Sequence, residues 1–201
     1  MDTKLLPYGI LNKEMYQMKI GPHGQLCLSS GLPFVKYSSM KDNNVYVSGV
    51  YNVQPASSHN VIFSVYNRTD TKYIMFDTFR IGIVSTSTSD ASNFILRVGA
   101  TGTPVGGTSV SSINAYTALA DNSELSFEYG TSITGLSTPS VYIQDLVQGA
   151  TAVQHIDLTG IAPIFLPPRK YLTFSADNAG VGYSCWYTGI AVQPDSVVGS
   201  D

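Results

Sequence analysis

From Val45 onward the chain reads as a succession of short runs with β character. Val45-Tyr46-Val47-Ser48-Gly49-Val50-Tyr51 is β-branched and aromatic, which suits a pleated, half-buried surface. Val61 to Tyr66 repeats this after a polar turn at Ser57 to Asn60, and Asn67-Arg68-Thr69-Asp70 is a hairpin-type turn. Tyr73 to Val84 is long for one strand, which predicts a bend or bulge near Asp77. Phe94 to Val98, Ser109 to Ala115, Leu125 to Tyr129, Val141 to Leu146, Ala152 to Leu158, Tyr171 to Ala176 and Tyr183 to Val192 complete the set. Within Leu125 to Tyr129 the alternation is clean. Leu125, Phe127 and Tyr129 share one face, and Glu124, Ser126 and Glu128 the other, as in a strand with one wet side. Short strands punctuated by Gly, Ser, Asn and Pro, with almost no helical periodicity, predict an all-β fold. We expect an antiparallel β-sandwich of jelly-roll type over residues 44–194. Residues 195–201 read as a flexible tail.

Residues 1–43 have a different pattern. Leu11, Met15 and Met18 recur at helical spacing near Asn12, a candidate cap. The same residues fit an extended arm, and the sequence leaves both readings open. Either way, the apolar side chains need another surface to cover them. Leu5, Leu6, Ile10, Leu11, Met15 and Met18 are the candidate anchors.

Composition narrows the classes. Charged residues are 12% of the 201 and the formal net charge is -3, so no basic surface for nucleic acid is expected. No run approaches the ~18 apolar residues of a membrane span. The N-terminus lacks the apolar core of a signal peptide, which predicts synthesis in a host cytoplasm. The triplet Asn67-Arg68-Thr69 then reads as a turn rather than a glycosylation acceptor. Cys27 and Cys185 are the two cysteines. They read as buried thiols, with one disulfide as the alternative.

Candidate chemistry is sparse. The sequence has no GxSxG, HExxH, SxxK or Walker A pattern. Gly99 to Gly107 is glycine-rich, but a strand-like Thr/Ser/Val run follows where a phosphate cradle needs a helix. It reads as a flexible loop. His155 and Asp157 alternate on one strand and share a face, about 6.5 Å apart. They could orient an imidazole or hold a metal, or be ordinary surface residues. Glu124 and Glu128 lie roughly 13 Å apart on a strand, too far for the about 5 to 9.5 Å of a glycosidase pair. Asp177-Asn178-Ala179-Gly180 fits an Asx turn, or oxygen donors for calcium. Tyr183 and Tyr187 share one strand face and Trp186 takes the other. Such a set suits a core, a subunit interface or, less readily, a sugar platform. No catalytic residue, cofactor or metal site is predicted.

The stretch Ile164-Phe165-Leu166-Pro167-Pro168-Arg169-Lys170-Tyr171-Leu172-Thr173-Phe174-Ser175-Ala176, continuing to Tyr183-Ser184-Cys185-Trp186-Tyr187-Thr188-Gly189, resembles the last two strands of jelly-roll structural proteins of tailed bacteriophages. Pro-Pro-Arg stands where many such proteins have Pro-Gly. The resemblance implies a non-enzymatic virion component: a capsid decoration or cement protein, a head fibre, or a tail-associated protein. Its expected partners are further copies of itself, as a homotrimer, and the major capsid or other virion proteins. Tyr183, Trp186 and Tyr187 are its expected contact residues. The alternative is a lectin-like or host-receptor-binding sandwich, using loops Gly99 to Gly107 and Thr131 to Ser140.

Overall fold

The structure is a computed structural model that describes residues 8–11, 14–17, 19–20, 26–27, 45–84, 91–148 and 154–192. It has two compact units, residues 1–38 and 39–201, considered separately. In the first, β1 (Tyr8–Leu11) pairs antiparallel with β2 (Glu14–Gln17), and β3 (Lys19–Ile20) with β4 (Leu26–Cys27). Leu11 and Met15 therefore lie on strands, and the helical alternative is corrected. Leu11 pairs with Glu14 and Tyr8 with Gln17, so the hairpin closes where a helix would have had to continue. Tyr8, Ile10 and Tyr16 are residue types that favour strands. Leu5, Leu6, Met18 and the tail 195–201 lie outside the described residues.

The second unit is a sandwich of two antiparallel sheets. Its strands are β5 (Val45–Val53), β6 (Asn60–Asn67), β7 (Tyr73–Val84), β8 (Ala91–Ala100), β9 (Gly102–Val105), β10 (Thr108–Val110), β11 (Ile113–Asn114), β12 (Leu125–Leu136), β13 (Val141–Gln148), β14 (Gln154–Asp157), β15 (Ile164–Leu166), β16 (Tyr171–Ala176) and β17 (Gly182–Val192). One sheet runs β10-β12-β6-β16-β8-β13, with β9 also on β12. The other runs β11-β5-β17-β7-β14, with β15 also on β7. Early strands pair with late ones: β5 with β17, β6 with β16, β7 with β14, β8 with β13. Consecutive members of this set change sheet, except at β8 to β13. That is the winding of a jelly roll, and β9 to β12 are an insertion within it.

Alternation explains the interior. Leu172, Phe174 and Ala176 of β16 point inward, as do Tyr183, Cys185 and Tyr187 of β17. In β7 the inward set is Ile74 and Phe76, then Phe79, Ile81 and Ile83. The spacing slips by one residue between Phe76 and Phe79. The ladder with β17 slips at the same place: Thr78 faces Thr188, but Phe76 faces Gly189. Asp77 is the extra residue, as the length of the run predicted. Without it, one half of the strand would turn its apolar residues outward. Leu125 and Phe127 are buried and Tyr129 packs against the core, as the alternation predicted. A separate small cluster joins Val45, Ile190 and Val192.

Gly99 to Gly107 is not a free loop. It contains β9, which pairs with the far half of β12 (Thr134 with Val105, Leu136 with Gly102). The sequence signal missed this because the pairing is carried by backbone. Gly102 and Gly135 have φ of 123° and 81°. A Cβ on either would lie 2.2 Å from a carbonyl oxygen of the opposite strand. Gly102→Ala is therefore expected to cost about 2–4 kcal/mol in urea unfolding, from backbone strain plus overpacking.

Candidate functional site

Most residues with candidate chemistry have structural duties. Asn67 is buried at the end of β6. Its Nδ2 donates to the carbonyls of Lys72 (2.9 Å) and Leu166 (3.0 Å), and its Oδ1 accepts from Thr69 N (3.0 Å) and Oγ1 (2.7 Å). It is the turn residue its sequence implied, with no room for a glycan. Its backbone also binds the neighbouring turn, accepting from Arg169 N and donating to Lys170 O, both at 3.0 Å. Arg169 has a φ of 56°, in the left-handed region glycine favours. Its guanidinium holds Asp70 at 2.8 Å.

His155 and Asp157 do share the outer face of β14, but they do not act together. The His155 ring meets Trp186 edge-on, with centroids 5.3 Å apart. Asp157 accepts from Arg80 Nε (3.2 Å) and from Thr159 N (3.2 Å) and Oγ1 (2.5 Å), capping the 3-10 turn at Leu158–Gly160. Partial burial works to raise the Asp157 pKa. Hydrogen bonds from Thr159 and Arg80, with the Arg80 charge, outweigh it and hold the carboxyl below its usual value. Glu124 accepts from Tyr46 Oη at 3.1 Å and is ion-paired to Lys72. Glu128 packs against Gly107; partial burial raises its pKa against the opposing charge of Arg68. Asn178 closes the Asx turn onto Gly180 N (2.8 Å), while Asp177 Oδ1 accepts from Asn93 N (2.6 Å). Among the described residues no group of three His, Cys, Asp or Glu could hold a metal ion.

Tyr183 and Tyr187 line the sandwich interior. The core reading holds for them, and their expected role as contact residues is corrected: both faces of β17 are largely buried, so parity alone could not separate core from interface. Burial pushes both phenols upward, as it does the thiol of Cys185, which is free and buried. Trp186 faces outward and is half-buried. Ile10, Leu11 and Met15 lie on β1 and β2, in the first unit.

A feature the sequence did not signal is a groove of about 560 Å³ between β5 and β12, lined by Tyr51, Asn52, Gln54, Thr108, Tyr129 and Thr131, with backbone from Gly106 and Gly130. Gly106 and Thr131 come from the two segments proposed above as ligand loops. A second surface feature is the loop after β11. Buried Asn114 organises it, its Oδ1 accepting from Tyr116 N (2.9 Å) and Thr117 N (3.1 Å), and its N donating to Leu119 O (2.9 Å). The loop holds Tyr116 and Leu119 outward, 61% and 68% exposed. No helix among the described residues is long and apolar enough to cross a membrane.

The chain matches no family model, no curated protein and no solved structure.

Asp157→Ala is expected to destabilise the fold by about 1 kcal/mol at neutral pH, as for a lost cap. The folded pKa is lowered, so this contribution is present above the usual carboxylate range. It should fade as pH falls through the lowered value, below about 4. Thermal unfolding of both proteins across this range checks the convergence.

Proposed function

We propose that the chain is a non-enzymatic structural subunit of a virion, of the capsid decoration, cement or head-fibre kind, that works by binding and not by turnover. The observation that carries this reading is the jelly-roll winding, with β5, β6, β7 and β8 each paired to a late strand. This architecture is common in virus capsid proteins. A second support is the filled interior, where Phe63, Phe94, Phe127, Phe174 and Tyr187 are buried, which leaves binding to the outer surfaces. A third is the Asn114 loop, which offers Tyr116 and Leu119 on a fixed backbone. Rigid apolar anchors of this kind lose little entropy on docking.

In this reading the subunit assembles as a symmetric homotrimer on the virion, and the first unit, with Ile10, Leu11 and Met15, docks it to the capsid or another virion protein. The test uses density-gradient-purified particles from the encoding host, probed with antibody to the chain. The chain should band with the particles. Recombinant chain should also bind particles stripped of it, and the same chain lacking residues 1–38 should not. Recovery of the chain only in the soluble fraction would refute the assignment.

A further inference from the structure

We infer that the groove between β5 and β12 is a binding site for a neutral saccharide. Its walls are made by two β-bulges, one on each strand. Against β17, the register of β5 passes from Val50 opposite Cys185 to Val53 opposite Tyr183, so β5 holds one extra residue around Tyr51 and Asn52. Against β6, the register of β12 passes from Tyr129 opposite Phe63 to Ile133 opposite Val61, which leaves extra residues at Gly130 to Ser132. Bulges re-aim side chains and recur beside binding sites. Here the bulged residues Tyr51, Asn52, Gly130 and Thr131 line the groove.

The β5 bulge turns through a left-handed residue. Asn52 has a φ of 55°, uncommon for a residue with a side chain. Its N donates to Ser184 Oγ at 3.1 Å. Its Oδ1 occupies the space that a Cβ on Gly182 would enter, at 2.0 Å. Gly106, with a φ of 87°, closes the far side, where a Cβ would lie 2.9 Å from Ser132 O. The result is a fixed backbone that holds Tyr51 outward, 76% exposed. An aromatic ring on a rigid strand is pre-organised for contact.

The lining selects the ligand class. It contains two phenol rings, two amides and two threonine hydroxyls, and no Lys, Arg, His, Asp or Glu. A phosphate or sulfate would find no counter-charge, and the Glu128 carboxylate near Gly107 adds repulsion at the margin. Val53, the aliphatic member of the lining, is buried, so the side chains that offer apolar surface in the groove are the tyrosines, beside amides and hydroxyls. A sugar has C–H faces that stack on phenol rings and hydroxyls that bond to amides and threonines. The groove volume of about 560 Å³ fits small-ligand sites. This inference stands on the groove alone and does not need the virion reading.

The test is saturation-transfer NMR and titration of the full chain with a panel of neutral oligosaccharides: glucans, galactans, mannans and N-acetylglucosamine oligomers. Sulfated and sialylated counterparts are run beside them. At least one neutral class should bind. Tyr51→Ala should weaken it about tenfold, and Tyr142→Ala, at an exposed tyrosine of β13, should leave it unchanged. If Tyr51→Ala shifts the urea midpoint, Thr108→Val replaces it under the same criterion. Binding by no member, binding by anionic members alone, or equal loss in Tyr142→Ala would overturn the inference.

Discussion

The fold depends on a continuous aromatic seam between the two sheets. On one side, Phe94, Phe174, Phe63 and Phe127 follow each other at centroid distances of 5.5, 5.6 and 6.2 Å. On the other, Tyr187 meets Phe76 edge-on at 5.5 Å and Phe79 stacked at 6.0 Å. Two contacts cross between the sheets: Phe127 with Tyr187 at 5.5 Å and Phe174 with Tyr183 at 5.8 Å. Each such pair adds about 0.5–1.5 kcal/mol beyond area burial. The Asp77 bulge follows from this seam, because it keeps Phe76 and Phe79 on the same side of β7 and brings both rings to Tyr187.

Tyrosines in such a seam need partners for their hydroxyls, and the rim supplies them. Tyr187 Oη lies 3.2 Å from Ser112 Oγ, and Tyr46 Oη donates to Glu124, which is also ion-paired to Lys72. Much of the chain's candidate chemistry is therefore committed to closing the core. Asn67, Asp157, Asp177 and Asn178 have similar duties at turns. On the outside of the second unit, among the described residues, stand the Asn114 loop, the Trp186 face and the groove at Tyr51.

The strands were legible because β-branched and aromatic runs separated by turn residues have few other folds open to them. The Asp77 bulge was legible from length and the Asn67 turn from residue type. Other features were not. The spacing of Leu11, Met15 and Met18 is compatible with a helix or an extended arm, and the strand register decided it for Leu11 and Met15. Gly99 to Gly107 looked free because its pairing with β12 uses backbone, which side-chain patterns do not report. Tyr183, Trp186 and Tyr187 revealed their parity but not which side was interior, since β17 is central and covered on both faces. The groove had no linear signature, because its two bulges lie on strands far apart in sequence and only the folded sheets bring them together.

The central proposal is that this chain functions by assembling through its outer surfaces. Light scattering of the purified full chain tests it most directly. The account predicts a discrete species of three times the 21.6 kDa chain mass. A species that stays at the mass of one chain at every concentration measured would contradict it.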